Sequence, residues 1–96
     1  MRLAKIEYVS PFPEVHPMND NLDILVHLDD GRVYSLVVAT PNNIFGCMEN
    51  TREDYYFGVP PVFVATLSQE NIERALHALV SEDGGRWLET YGTLQE

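Results

Sequence analysis

The stretch from residue 22 to residue 41 reads LDILVHLDDGRVYSLVVATP and decides the fold. Two apolar segments flank Asp30-Gly31, a pair that favours the two-residue turn of a β-hairpin. A turn at that point places His27 opposite Tyr34. One face of the predicted hairpin is then a core face, made of Leu22, Ile24, Val26, Leu28, Val33, Val37 and Ala39. The other face is mixed and carries Asp23, Leu25, His27, Asp29, Arg32, Tyr34, Leu36 and Val38. Since side chains alternate along a strand, a slip of one residue would exchange these two sets.

The rest of the chain predicts one strand on each side of the hairpin and three helices. A strand over residues 2–10 leads into a proline-rich loop over residues 11–21. Thr40 and Pro41 predict the start of a short helix that ends near Asn50. A strand over residues 59–67 precedes the main helix, which begins after Ser68 and buries the stripe Ile72, Ala75, Leu76, Leu79 and Val80. A short terminal helix places Trp87 on the sheet edge. The order predicts an α+β fold: a mostly antiparallel four-stranded sheet packed on one main helix, with two short helices.

Length and composition predict a small cytoplasmic domain. The 96 residues form a single globular domain, residues 1–96. No apolar run is long enough for a membrane span, and the first ten residues alternate like a strand rather than a signal peptide. The single cysteine, Cys47, excludes an intramolecular disulfide and is expected to be buried and inert.

The charge balance predicts the class of partner. Fifteen acidic residues stand against six basic ones, which gives a formal net charge of −9. A chain this acidic repels nucleic acid and anionic membranes and attracts basic proteins. Acidity that merely keeps a small protein in solution is the alternative interpretation. Between Lys5 and Arg32 the sequence has no basic residue, so the acidic character is strongest in the hairpin and the loop before it.

No arrangement of residues in the sequence indicates catalysis. His16, His27 and His77 are scattered, and none is spaced with another ligand as a metal site requires. Cys47 has no basic surroundings that would activate it as a nucleophile. The sequence also lacks a phosphate-binding loop. We therefore expect neither a metal nor a cofactor, and no enzymatic activity.

Two acidic segments are the predicted partner-binding residues. In the first, Glu53 and Asp54 precede three consecutive aromatic residues, Tyr55, Tyr56 and Phe57. Tyrosine is enriched at interface hot spots, and acidic groups steer a basic partner. In the second, Asp23, Asp29 and Asp30 lie along the hairpin. The predicted binding residues are Asp23, Asp29, Asp30, Glu53, Asp54, Tyr55 and Tyr56. The alternative for the aromatic segment is that two of its rings pack under the loop.

Four segments of the chain carry a resemblance to a known family: IEYVSP at residues 6–11, VVATPNNI at residues 37–44, VFVATLSQENIERALHALV at residues 62–80 and GGRW at residues 84–87. In their order and spacing they resemble the immunity protein 8 family of bacterial polymorphic toxin systems. The resemblance implies that the protein binds and neutralises a cognate basic toxin, often a nuclease, inside the producing cell. It assigns no binding residues.

Two other interpretations stay open from the sequence. The first is a small ligand-binding or enzymatic domain with a pocket in which His27, Tyr34 and Asp23 converge. The second is a structural subunit or homodimer that associates through the hairpin face.

Overall fold

A computed structural model of the chain describes residues 2–9, 16–57 and 60–95. Its strands are β1 (Leu3–Tyr8), β2 (Asn21–Leu28), β3 (Val33–Ala39), β4 (Val62–Phe63) and β5 (Thr93–Gln95). Its helices are α1 (Pro41–Thr51), α2 (Gln69–Ser81) and α3 (Arg86–Tyr91), and a 3₁₀ turn over Glu82–Gly85 joins the last two. The fold is α+β with α2 as its main helix, as predicted from the sequence.

Over the described residues the sheet has five strands, one more than predicted. It is mixed: three of its four strand pairings are antiparallel, as predicted, and one is parallel. β1, β2 and β3 are neighbours in chain order and antiparallel. Two short strands share the far side of β3. β4 pairs in parallel with Val38 and Ala39, and β5 pairs antiparallel with the segment from Val33 to Ser35. The sequence prediction missed β5 altogether.

The hairpin register differs from the prediction by one residue. Leu22 lies opposite Val38, and His27 lies opposite Val33 rather than Tyr34. The cause is a three-residue loop, Asp29-Asp30-Gly31, in which the Gly31 N–H donates to the Leu28 carbonyl at 3.1 Å. Gly31 has a φ of +92°, which favours glycine and is typical of a hairpin loop closed by a bulge.

This register reverses the predicted faces of β3 but leaves those of β2 unchanged. The helix-covered face of the hairpin carries Leu22, Ile24, Val26, Leu28, Tyr34, Leu36 and Val38, all buried. Val33 and Val37, which were predicted to lie in the core, are half-buried on the outer face of the sheet. Ala39 is also on the outer face but is buried beside the start of α1.

The main helix matches its prediction closely. Ser68 caps it, since its Oγ accepts a hydrogen bond from the Asn71 N–H at 3.1 Å. Ile72, Leu76, Leu79 and Val80 are buried against the sheet, and Ala75 is half-buried beside them. A stripe at this spacing covers one face of the hairpin and closes the core.

The segments on either side of α2 depart from the predictions. The predicted strand over residues 59–67 is reduced to Val62–Phe63, and Phe63 is 51% exposed because β4 lies at the sheet edge. In α3, Leu88 rather than Trp87 enters the core: Leu88 is fully buried, whereas Trp87 is 42% exposed. Val59 and residues 11–15 of the predicted proline loop lie outside the described residues.

Gly92 allows the chain to return from α3 to the sheet as β5. A Cβ atom at this position would lie 2.9 Å from the Leu88 carbonyl oxygen and 3.2 Å from Tyr34 Cβ. Only glycine permits the chain to pass so close to β3. None of the helices in the described ranges has both the length and the apolar character needed to cross a bilayer.

Candidate partner-binding surface

Helix α1 buries none of its residues, which is unusual for a helix of 11 residues. Pro41 begins it at the position where a missing N–H costs nothing, and Arg52 ends it in a left-handed conformation. Ile44, Cys47 and Met48 share a face, as predicted, but each is only half-buried. An apolar helix face normally packs against the core. Here much of it remains in contact with solvent.

Thr40 precedes this helix without capping it through its side chain. The Thr40 side chain is buried, and Oγ1 has no hydrogen-bond partner within the described ranges. The backbone holds the residue instead, because the Thr40 N–H donates to the Asp20 carbonyl at 3.2 Å. Asn21 Nδ2 also donates to Asn43 Oδ1 at 3.0 Å. Polar contacts, rather than apolar burial, thus fix the start of α1 against β2.

Five exposed aromatic rings surround α1. Their exposed fractions are 60% for Phe45, 58% for Tyr55, 47% for Tyr56, 84% for Phe57 and 51% for Phe63. We call these five residues, together with Pro41 and Ile44, the aromatic surface. A shallow apolar depression of about 150 Å³ lies between Pro41, Ile44, Phe45 and Phe63. A second, of about 280 Å³, lies between Ile44, Cys47, Tyr56 and the end of β3. Ile44 lines both depressions, so the two adjoin, and Tyr55 and Phe57 flank Tyr56 in the chain.

None of the three consecutive aromatic residues packs under the loop. Tyr55 and Phe57 stack on one another instead, with ring centroids 6.0 Å apart and planes at 9°. Stacking orders two rings while both remain accessible. A continuous apolar patch that stays exposed is typical of a site of protein association.

Acidic side chains border the aromatic surface. Glu49, Glu53 and Asp54 are exposed along the end of α1 and the segment after it, with Arg52 as the one basic residue among them. Asp23 is exposed on the outer face of the sheet, opposite Val37, which lines the depression beside Tyr56. The structure therefore brings Asp23, Glu53, Asp54, Tyr55 and Tyr56 to one side of the molecule.

Asp29 and Asp30 do not belong to this group. They occupy the hairpin loop, about 20 Å along β2 from Asp23, at about 3.3 Å a residue. Asp29 Oδ1 accepts from the Arg2 N–H at 3.2 Å. Asp30 accepts from the Arg32 N–H at 3.0 Å and from Arg32 Nε at 2.8 Å. Asp29 thus ties the loop to Arg2, and Asp30 bonds to Arg32 at the end of the loop, so the contacts of both carboxylates are structural.

The contacts of Asp30 predict a pH effect on stability. The hydrogen bond from the Arg32 N–H, assisted by the guanidinium of the same residue, holds the pKa of Asp30 below its ordinary value. A carboxyl whose pKa is lowered by folding stabilises the protein above its unfolded pKa of about 3.9, and this contribution is lost as pH falls through the folded value. We expect Asp30→Asn to destabilise the protein at neutral pH, and the difference from wild type to shrink near pH 3.

Urea unfolding of both proteins at neutral pH and at about pH 3 measures this difference. Asparagine keeps an acceptor for the Arg32 N–H but removes the charge and the oxygen that accepts from Arg32 Nε. Asp54→Asn, in the exposed segment after α1, is the matched control and should follow wild type at both values. A stability difference that does not narrow in acid would contradict the assignment.

The predicted pocket around His27 and Tyr34 does not form. The two side chains lie on opposite faces of the sheet, because His27 pairs with Val33 and Tyr34 pairs with Val26. Tyr34 is only 5% exposed and belongs to the core. His27 lies on the outer face, where Nε2 is 3.2 Å from Glu7 Oε1. The register thus separates the groups on which a ligand-binding or enzymatic site would have depended.

Cys47 is half-buried rather than buried, and its thiol is free. It lines the depression beside Tyr56, within the candidate surface. In the part of the chain that the structure describes, no three His, Cys, Asp or Glu residues are placed to hold a metal ion.

Sequence reasoning missed Pro41, Ile44, Phe45 and Phe63 as members of the surface. The exposure of Phe45 is indicated by the sequence, because Phe45 does not lie on the helical face that Ile44, Cys47 and Met48 share. Phe63 carries none, since its exposure follows from the position of β4 at the sheet edge.

Comparison of the chain with protein-family models, with curated proteins and with solved structures gave no match.

Proposed function

We propose that this chain is an immunity protein that binds a basic toxin domain, of nuclease type, and neutralises it in the producing cell. The observation that carries the proposal is the aromatic surface, bordered by Glu49, Glu53, Asp54 and Asp23 in a protein of net charge −9. The resemblance to the immunity protein 8 family supports the same function.

The chemistry of this surface suits capture of a basic protein. Exposed aromatic rings supply anchors that bury a large area at small entropic cost. The surrounding carboxylates attract a positively charged partner and orient it during encounter. A nuclease domain presents a basic site shaped for phosphates, and an acidic protein placed over that site excludes its substrate. Inhibition of this kind needs binding and no chemistry.

A binding experiment with the neighbouring gene product tests the proposal. The toxin domain encoded beside this gene is purified, and its association with the chain is measured at low and at high salt. We expect a stable complex whose association rate falls at least about tenfold between 0.05 M and 0.5 M salt, because the screening length shortens from about 14 Å to about 4 Å. Co-expression should also restore growth of cells that produce the toxin.

A charge-reversal variant separates specific binding from nonspecific attraction. Glu53→Lys on the border of the aromatic surface should slow association more than Glu89→Lys on α3, although the two variants carry the same net charge. No complex with any adjacent gene product, or equal effects of the two substitutions, would overturn the proposal.

A further inference from the structure

The outward edge of β1 offers backbone groups for pairing. Among the described residues, β1 has β2 as its single strand neighbour. The Val9 N–H donates to the Asp23 carbonyl at 3.3 Å, so Val9 and Asp23 form a hydrogen-bonded pair. Such pairs alternate along an antiparallel ladder. Glu7 and Lys5 therefore bond towards β2, and the N–H and C=O of Ile6 point away from the sheet.

The side chains at this edge separate by face. Lys5 and Glu7 lie on the outer face, where their side chains are 66% and 46% exposed and their charged atoms are 4.0 Å apart. Ile6 lies on the helix-covered face, half-buried at the margin of the core. There it lines a shallow groove of about 330 Å³ between β1 and α2. A strand added beside β1 would cover this groove.

We propose that a second copy of this chain pairs antiparallel with β1 through a twofold axis at Ile6. Ile6 then faces Ile6 of the second copy, and their outward backbone groups form the two hydrogen bonds of a bonded pair. The same register places Lys5 of each copy opposite Glu7 of the other. Two cross-strand ion pairs of opposite charge result, in the non-hydrogen-bonded sites where side chains are closest.

Charge selects this register over its neighbours. Only every second residue of β1 directs its N–H and C=O outwards. The possible symmetric registers therefore differ by one residue in the position of the twofold axis. An axis at Lys5 places Lys5 against Lys5 of the second copy, and an axis at Glu7 places Glu7 against Glu7. Like charges directly opposite one another destabilise a strand pair. Only the axis at Ile6 matches both charges.

The features of β1 limit the strength of the dimer. The pairing of β1 with β2 is irregular between Leu3 and Lys5, which leaves a short regular segment. A lone lysine on an edge strand normally opposes association, and the matched register offsets this by pairing Lys5 with Glu7 of the second copy. Interfaces this small are weak, so we expect a dissociation constant on the order of 10–100 µM.

This dimer does not depend on the proposed function and leaves the aromatic surface accessible. Phe63 lies on β4, and β4 and β1 form opposite edges of the sheet. Pairing of two β1 strands would join the two sheets and place the two aromatic surfaces at its far ends. Each dimer would then present two sites for a partner.

Sedimentation of five proteins over a concentration series tests the proposal. Wild type should shift from monomer to dimer as concentration rises. Lys5→Glu and Glu7→Lys each create like-charge pairs across the axis and should weaken dimerisation at least about tenfold. The double variant Lys5→Glu/Glu7→Lys restores both pairs and the net charge, so its dissociation constant should return to within about threefold of wild type.

Glu89→Lys on α3 carries the same net charge as Glu7→Lys and should leave dimerisation close to that of wild type. We expect each variant to fold, because the Lys5 and Glu7 side chains are exposed. Circular dichroism checks this. A wild-type protein that stays monomeric to its solubility limit overturns the proposal. So does a dimer that the single variants leave intact, or one that the double variant fails to restore. None of these results bears on the toxin complex.

Discussion

Replacing Phe45 and Phe57 together by alanine is expected to weaken binding of the basic partner by at least about 100-fold. Interface hot spots cost about 2 kcal/mol or more each when truncated, and aromatic residues are prominent among them. The two rings are 60% and 84% exposed in the free protein, so their removal should change its free energy of unfolding by less than about 0.5 kcal/mol. Binding measured by calorimetry, with urea unfolding of the same samples, separates the two effects.

Leu94→Ala is the matched control for this experiment. Leu94 is 46% exposed on β5, which pairs with β3 between Val33 and Ser35, at the end of that strand away from α1. Its truncation should change neither binding nor stability. If Phe45→Ala/Phe57→Ala binds as wild type does, the partner does not use the aromatic surface. If the double variant unfolds more easily, those rings support the fold of α1 instead.

Replacing Leu36 by alanine is expected to lower the free energy of unfolding by about 2–5 kcal/mol. Leu36 is 2% exposed on the helix-covered face, where its removal leaves a cavity that the core cannot fully close. Val37 is half-buried on the outer face, and Val37→Ala should cost less than about 1 kcal/mol. Unfolding in urea measures both values.

Comparison of Leu36→Ala with Val37→Ala tests the hairpin register. The two-residue turn predicted from Asp30-Gly31 would bury Val37 and expose Leu36, and it would reverse the order of the two costs. Ile24 is buried in the structure and lies on the core face in either register, so Ile24→Ala serves as the positive control for loss of a core side chain. A larger cost for Val37→Ala than for Leu36→Ala would contradict the three-residue loop.

Helix α2 was predictable because its signals are local. Ser68 supplies a cap within three residues of the group that it bonds, and the stripe from Ile72 to Val80 repeats at the helical period. Strand β2 was predictable for the same reason, since its buried apolar residues alternate with residues of which Leu25 alone is apolar. Such patterns define which face is buried before any partner element is known.

The register of β3 was not predictable because its sequence is apolar on both faces. Tyr34, Leu36 and Val38 are as apolar as Val33 and Val37, so the alternation does not show which set is buried. The length of the loop decides it, because Gly31 at φ +92° is the third residue of a three-residue loop. Asp-Gly is compatible with loops of either length. The short strand β5 was missed for a related reason: its pairing depends on the close approach at Gly92, which involves Tyr34 on a distant segment.

For the candidate surface, the sequence by itself determined the composition: a net charge of −9 and an acidic segment followed by three aromatic residues. Only the tertiary structure decided how these residues are grouped. It placed Asp23 opposite Val37, which lines a depression with Tyr56, held Asp29 and Asp30 in a loop at the far end of β2, and left α1 with no buried residue. The physical reason is that composition is a property of the chain, whereas proximity and exposure depend on the strand register and on which helices cover the sheet.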